Sequence, residues 1–174
     1  MKNIYSTLIA VLLLVVFASL ADAGTFPSWN KKFNTPARFL VLNQFGNAAV
    51  LDRETGLVWE QSPSTSTFTW LDAQSHCNAL TTGGRLGWRL PTLQELASLV
   101  DPNNPNNPGG NPDLPPGHPF SNVQSLPYWS ATTYANSPSN AWVVNFFNGV
   151  VLINTVSFPH FVWCVRGGQG VDPQ

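Results

Sequence analysis

Two aromatic and three amide side chains gather between residues 134 and 148, in the second half of the chain. They are Tyr134, Asn140, Trp142, Asn145 and Asn148. An aromatic ring can stack on the apolar face of a sugar and an amide can hydrogen-bond its hydroxyls, so together these side chains could form a saccharide-binding surface. The simpler alternative is that the two rings pack within an edge strand. Both alternatives stay open here.

Residue types that serve in metal sites and in catalysis are present but lack the spacing that such sites need. His76, His118 and His160 follow no ligand pattern, and structural zinc takes four ligands. No sequence around a serine resembles the nucleophile elbow of a Ser–His–acid hydrolase. We therefore predict no catalytic residues, no bound metal and no enzymatic activity.

The segment Asp101–Asp113 combines two carboxylates with many Asn, Pro and Gly residues. Carboxylate and carbonyl oxygens are the ligands that calcium takes in proteins. The Pro residues break the regular spacing of a calcium loop, so we interpret residues 101–119 as a long solvated surface loop and keep calcium as the alternative. No cofactor is predicted.

The first 23 residues have the features of a secretory signal peptide. Lys2 is followed by an apolar run over Leu8–Leu20 and by the cleavage motif Ala21-Asp22-Ala23. The run is shorter than the roughly 20 residues that a membrane span needs. These features predict an exported protein, periplasmic or extracellular, with no membrane span after signal cleavage.

The composition and length narrow the class of protein. Charged residues make up 10% of the chain and the net charge is −1, so no basic surface for nucleic acid is expected. Residues 24–38 show no periodicity and predict a loose N-terminal arm. Residues 39–170 are long enough for one domain with its own core. The oligomeric state is left open.

Cys77 and Cys164 are the only two cysteines of the chain. In an oxidising compartment two cysteines most simply pair, and neither lies in a C-x-x-C motif or beside a base, as a reactive thiol would. We therefore predict one structural disulfide. Closing so long a loop stabilises a fold by about 4–5 kcal/mol in the chain-entropy treatment.

Two helices and a series of short strands must position these residues. The first helix begins near Thr69 and turns Cys77 toward the core, and the second begins at Thr92 and ends before Asp101-Pro102. Strands are predicted over residues 39–42, 48–51, 57–59, 128–133, 141–147, 150–156 and 161–166, with a hairpin turn at Asn148-Gly149. Core positions are predicted for Trp59, Trp70, Trp88 and Trp163. Ser130 is expected to hydrogen-bond within the sheet.

A structural motif joins a strand to the second helix. Its residues are Trp88, Arg89, Pro91, Thr92 and Glu95. Pro91 forces the preceding residue into an extended conformation, and Thr92 with Glu95 forms a capping box at the helix start. A buried Arg89 needs a carboxylate, which Glu95 or Asp72 could supply. The motif therefore predicts a tight junction.

Five motifs in order support a resemblance to a known family. They are Asp52…Thr55-Gly56-Leu57-Val58-Trp59, Trp70…Ala73…Cys77…Leu80, Trp88-Arg89-Leu90-Pro91-Thr92…Glu95-Leu96, Tyr128-Trp129-Ser130 and Cys164-Val165-Arg166. In this set and order the chain resembles the Lcl C-terminal domain family, named for a bacterial collagen-like adhesin. The resemblance covers about residues 50–167. It implies an α+β, C-type-lectin-like fold, with two helices packed on a small antiparallel sheet and long irregular loops.

The same resemblance implies an exported, non-catalytic binding domain in an adhesin-like role, whose partner is a glycan or a surface protein. Tyr134 and Trp142 flank a turn near the place where the lectin-like fold binds ligands. The calcium triplets of C-type lectins are missing at the matching place, so calcium-dependent sugar binding is not implied. Two alternatives stay open: a structural envelope protein, or an active or degenerate enzyme of the formylglycine-generating type. Those enzymes need a closely spaced cysteine pair, which this chain lacks.

Overall fold

A computed structural model describes residues 34–101 and 112–167. Within them the chain is α+β, with short helices and two small antiparallel sheets, which confirms the predicted class. In this part of the chain no helix has the length and apolar character needed to cross a membrane. The predicted signal peptide, residues 24–33 of the predicted arm and the middle of the predicted calcium loop lie outside the described residues. The C-type-lectin-like topology stays a prediction.

The elements follow one another in a regular order along the chain. They are α1 (Thr35–Arg38), β1 (Phe39–Val41), β2 (Ala49–Asp52), β3 (Leu57–Glu60), α2 (Trp70–Ala79), β4 (Trp88–Arg89), α3 (Leu93–Ala97), β5 (Pro127–Thr133), β6 (Asn140–Asn145), β7 (Val151–Thr155) and β8 (Val165–Arg166). Short 3-10 turns cover Asn43–Phe45 and Thr82–Gly84.

The strands divide between two sheets, where the sequence predicted one. The first sheet has the order β1-β2-β3-β8-β4, so the last strand of the chain is inserted between β3 and β4. The second sheet consists of the consecutive strands β5-β6-β7. Its β6–β7 hairpin turns at Asn148-Gly149, as predicted, and Gly149 adopts a φ of +69° that favours glycine.

The second sheet lies between two apolar clusters. Tyr128 and Val144 are paired across β5 and β6 and belong to the cluster that contains Trp59 and Trp163. Trp129 and Val143, the next pair, point to the opposite face and belong to the cluster that contains Cys77 and Trp88. Because successive strand residues face opposite ways, β6 is packed from both sides. Trp59, Trp88 and Trp163 are buried as predicted, whereas Trp70 is only half-buried.

Helix α2 carries one end of the disulfide. Thr69 caps it by accepting a hydrogen bond from the Asp72 amide, and Ala73 and Cys77 are its buried residues. Cys77 is bonded to Cys164, which lies just before β8 and 87 positions away in the chain. The predicted disulfide is therefore confirmed, and it ties α2 to the first sheet.

The structural motif docks α3 against the second sheet. Thr92 and Glu95 form the predicted capping box. Arg89 donates two hydrogen bonds of 2.7 Å to the Glu95 carboxylate, so Glu95 is the partner that Arg89 needs. Burial by itself would raise the pKa of Glu95, but the hydrogen bonds from Arg89 and from the Thr92 amide outweigh it and hold that pKa below its usual value.

Helix α3 is shorter than the sequence predicts, because it ends at Ala97. The chain continues in a turn that buries Leu99 completely, a residue outside the predicted apolar face. The Leu99 and Val100 amides donate to the Leu96 and Ala97 carbonyls, so a turn with i→i+3 bonds continues from the α-helix to the residue before the predicted stop.

Two boundaries drawn from composition need correction. The predicted arm reaches residue 38, but Thr35–Arg38 is helical and Arg38 binds the buried Asp52 at 2.7 Å. The predicted surface loop reaches residue 119, but its last part enters the core, since Asp113 and Leu114 are buried. Polar and Pro-rich composition conceals both attachments, because they depend on contacts with residues distant in the sequence, such as Arg38 with Asp52 and the Asp113 amide with the Phe146 carbonyl.

Reduction of the Cys77–Cys164 bond is expected to lower the free energy of unfolding by about 4 kcal/mol, because the bond closes a long loop of the unfolded chain. Guanidinium denaturation with and without reductant measures the change. The matched control is the double variant Cys77→Ala/Cys164→Ala, whose midpoint should not respond to reductant. An unchanged midpoint for the wild-type protein with both thiols free would contradict the assignment.

Candidate functional site

The predicted saccharide-binding residues fall at one end of the second sheet. Trp142 lies in the middle strand, β6, and is half-buried. The Tyr134 ring meets the Trp142 ring edge-on, with centroids 5.7 Å apart and an interplanar angle of 84°. Ile153 of β7 is paired directly with Trp142 and is 40% exposed. We call the surface formed by Tyr134, Asn140, Trp142 and Ile153 the Trp142 surface.

A compact turn holds Tyr134 beside β6. The Tyr134 amide donates to the Asn140 carbonyl at 2.9 Å, and the Ser137 amide donates back to the Tyr134 carbonyl at 2.9 Å. The Asn136 side chain donates to the Tyr134 hydroxyl at 3.1 Å. These bonds fix the tyrosine next to the indole, so two partly exposed rings are arranged before any ligand arrives.

A β-bulge in β5 positions the backbone of Trp142. The pairing of β5 with β6 shifts register between Trp129 and Thr133. Ser130 lies in this irregular stretch, is fully buried, and donates from its hydroxyl to the Trp142 carbonyl at 2.8 Å. Its own carbonyl accepts a hydrogen bond from the Trp70 indole at 2.8 Å. The predicted role of Ser130 within the sheet is confirmed, although the bulge itself was not foreseen.

The bulge is in turn bonded to the structural motif. The Ala131 amide donates to the Pro91 carbonyl at 2.6 Å. The Leu93 amide, at the start of α3, donates to the Thr132 hydroxyl at 2.9 Å. The motif therefore supports the Trp142 surface through β5 without being part of it.

Two of the predicted binding residues do not join the Trp142 surface. Asn145 is three residues beyond Trp142, about 10 Å along the strand and on the opposite face. Its side-chain oxygen accepts a hydrogen bond from the Phe147 amide, and that of Asn148 accepts one from the Val150 amide. Both side-chain oxygens are engaged in the hairpin turn, so the structure does not bring these residues to the Trp142 surface, and their part in ligand binding stays a prediction. Ile153 was missed, although its position opposite Trp142 follows from the Asn148-Gly149 turn.

Each of the three histidines packs against an aromatic ring. His76 lies against Phe68, His118 against Phe120, and His160 against Trp129. Burial lowers the pKa of each of them. Over residues 34–101 and 112–167, no three His, Cys, Asp or Glu side chains come together in a way that could hold a metal ion.

Asp101 and Asp113 approach each other at the ends of the predicted calcium loop. The Asp101 amide donates to the Asp113 carbonyl at 3.1 Å. Burial, and after it repulsion from Asp101, raises the pKa of Asp113. Residues 102–111 of the predicted calcium loop lie outside the described part of the chain.

Glu60 is a buried carboxylate beside the disulfide. Its side chain accepts a hydrogen bond from the Cys164 amide at 2.9 Å, and its backbone carbonyl accepts one from the Trp163 indole at 2.9 Å. Burial raises the pKa of Glu60 to about 7, against the smaller lowering effect of the Cys164 amide. This residue belongs to the first sheet, whereas Trp142 belongs to the second, and it holds the segment that leads into β8.

Comparison with known proteins places most of this structure in one family. The family profile described as the Lcl C-terminal domain matches residues 48–166. The matched segment contains the disulfide, the structural motif and the Trp142 surface. No curated protein matches the sequence.

Replacing Ser130 by alanine is expected to lower the free energy of unfolding by about 1–3 kcal/mol, because the Trp142 carbonyl loses its hydroxyl donor inside the sheet. Urea denaturation measures the loss. Ser75→Ala, at an exposed serine on α2, is the control and should change little. Equal stability of the two variants would contradict the role given to Ser130.

The stability of the wild-type protein is expected to contain a pH-dependent part that Glu60→Gln removes. In the unfolded chain Glu60 has its ordinary pKa of 4.5. In the folded protein its pKa is about 7, so the carboxyl keeps its proton over most of the range between these two values. The contribution of this group therefore falls as pH rises through that window, by up to about 3 kcal/mol, and stays constant above it. The amide of Gln can still accept the Cys164 hydrogen bond.

Denaturation of wild type and of Glu60→Gln at about pH 5 and about pH 8 gives the change in the free energy of unfolding between the two pH values. The half-buried histidines, whose pKa values are lowered, make stability rise with pH in both proteins, so the comparison of wild type with Glu60→Gln isolates Glu60. Asp72→Asn, at an exposed carboxylate, is the control. Its free energy of unfolding should change between the two pH values as that of wild type does. An identical pH response of Glu60→Gln and wild type would show that Glu60 is ionised normally.

Proposed function

The chain belongs to the Lcl C-terminal domain family, and on this basis we propose that it is an exported, non-catalytic binding domain that recognises a glycan through the Trp142 surface. The adhesin for which the family is named gives the setting, an extracellular domain that contacts a surface ligand. The observation that carries the glycan assignment is the edge-on pair of half-buried Tyr134 and Trp142 rings. A sugar ring stacks on such a face, while nearby amides bind hydroxyls.

The disulfide supports export. Disulfides form and persist in oxidising compartments such as the periplasm and the extracellular space. Cys77 and Cys164 are paired, and burial of both keeps them from reductants. This agrees with the signal peptide predicted at residues 1–23 and with a periplasmic or extracellular location.

The charge distribution favours a neutral saccharide. Residues 114–165, which include the whole second sheet, contain no Asp, Glu, Lys or Arg. A sulfated or carboxylated glycan is normally held by Arg or Lys, which form charge-assisted hydrogen bonds with anions. The Trp142 surface offers hydroxyl, amide, aromatic and aliphatic groups and no charged side chain, so we assign it to a neutral sugar.

The same observations weigh against the enzyme alternative. Chemistry of the formylglycine-generating type needs two free, closely spaced cysteines, and both cysteines of this chain are used in one disulfide. The buried carboxylate of Glu60 accepts a hydrogen bond from the Cys164 amide and lies in the first sheet, not in the sheet that carries the Trp142 surface. A binding role therefore fits these side chains better than a catalytic role.

Trp142→Ala is expected to weaken retention of a neutral glycan by about tenfold or more, as the loss of a central aromatic contact does at other binding surfaces. A glycan array probed with the purified protein identifies the ligand, and titration calorimetry compares the variants. Phe158→Ala removes an exposed ring outside the Trp142 surface and is the control that should bind normally.

Heparin and other sulfated glycans form the second arm of this experiment. We expect weaker retention on heparin than on the neutral ligand. Retention of anionic glycans alone would contradict the neutral assignment. Retention of no glycan, together with capture of an assembly partner from the parent envelope, would support a structural envelope role instead.

A further inference from the structure

Strand β7 is an exposed apolar edge. It is the last strand of the second sheet, and within the described residues nothing pairs along its outer side. Leu152 and Ile153, on opposite faces, are 45% and 40% exposed. Large apolar side chains rarely stay exposed on both faces of a strand in a protein that remains monomeric.

The hydrogen bonds to β6 determine which backbone groups face outward. The backbone amide of Asn145 donates to the Val150 carbonyl at 2.9 Å, and the backbone amide of Val156 donates to the Ser139 carbonyl at 3.0 Å. Bonded pairs alternate along an antiparallel ladder, so the even-numbered residues of β7 bond to β6. The N–H and C=O groups of Val151 and Ile153 therefore point away from the sheet.

The part of the β7 edge whose backbone groups are free to pair is short, because bonds within the chain limit it at one end and a turn limits it at the other. The Thr155 amide donates to the Asn154 side-chain oxygen at 2.9 Å, and the Thr155 carbonyl accepts a hydrogen bond from the Phe158 amide at 2.9 Å. At the other end, the hairpin turn at Gly149 stops the strand. Only Val151 and Ile153 thus offer outward-facing groups that are free to pair.

From this edge we propose that β7 pairs antiparallel with β7 of a second copy of the chain, around a twofold axis at Leu152. In this register Val151 faces Ile153 of the second copy, and Ile153 faces its Val151. Each pair exchanges both backbone hydrogen bonds, so every outward group is satisfied. A register centred on Ile153 would instead place Val151 opposite Thr155, whose groups are already bonded.

The charge pattern fits a second copy as the partner. An edge strand that avoids pairing normally carries a charge, most often Lys, or a Pro. Residues 140–158 contain none of these, so two identical edges meet without repulsion and bury matching apolar side chains.

The opposite edge of the second sheet limits the assembly to a pair. Along β5, the Trp129 amide donates to the Phe161 carbonyl and the Ala131 amide donates to the Pro91 carbonyl. This edge is therefore occupied, and a twofold contact between two β7 strands closes on itself without growing into a filament. Since so short an edge covers less than the roughly 800 Å² per partner of a standard interface, we expect a dissociation constant between micromolar and millimolar.

Sedimentation of the purified protein over a concentration series, up to about 1 mM, measures the association. We expect a monomer–dimer equilibrium, and Leu152→Lys should weaken it at least tenfold by bringing two ammonium groups together at the axis. Leu86→Lys, at an exposed leucine outside the sheets, is the matched control and should dimerise normally. Ile153→Pro removes one outward N–H without breaking a bond to β6, and should have the same effect as Leu152→Lys.

Amide hydrogen exchange tests the register. With rising concentration the Val151 and Ile153 amides should become protected, while the Thr155 amide, bonded within the chain, should not change. A protein that stays monomeric to about 1 mM would overturn the proposal, leaving the edge for a strand of another protein. Dimerisation without protection of the Val151 and Ile153 amides would also overturn it. Neither readout depends on glycan binding.

Discussion

The Cys77–Cys164 disulfide is the constraint on which the rest of the structure depends. It joins α2 to the segment before β8, so the chain between them forms one closed loop that contains β4, α3 and the whole second sheet. Beside it, Glu60 binds the Cys164 amide and the Trp163 indole, and thereby fixes the direction in which the chain enters β8. Both apolar clusters are built against this junction, since Cys164 belongs to one and Trp163 to the other.

The structural motif transmits this constraint to the Trp142 surface. Arg89 bonds to Glu95 and to the Gly167 carbonyl, which locks the start of α3 beside the last strand. Pro91 and Leu93 then bond to the bulge of β5, and Ser130 within that bulge bonds to Trp142. The residues that identify the family are therefore architectural, and the half-buried Tyr134 and Trp142 rings lie in the less distinctive segment that follows.

Local signals in the sequence predicted what local physics decides. The Thr92–Glu95 capping box, the Asn148-Gly149 turn and the disulfide were all found in advance, because each depends on residue types at fixed spacing. What was missed depends on contacts between distant segments. Arg38 is anchored by Asp52 and by the Ser98 carbonyl, Leu114 packs into an apolar cluster, and the bulge at Ser130 lies where β5 is bonded to the start of α3. Asn145 and Asn148 lie apart from the Trp142 surface because their side-chain oxygens bond within the turn that their own sequence creates.

The pairing of Trp142 with Ile153 has a geometric consequence for avidity. Ile153 lies beside the outer edge of β7, so two chains joined there would carry their Trp142 surfaces on the same face of one continuous sheet. Strand spacing and rise put the two indoles about 16 Å apart. That span is comparable to a few sugar units along an extended chain, so a polymer could occupy both sites at once. Weak contacts at each site would then add up to durable attachment, because the second binding event becomes intramolecular.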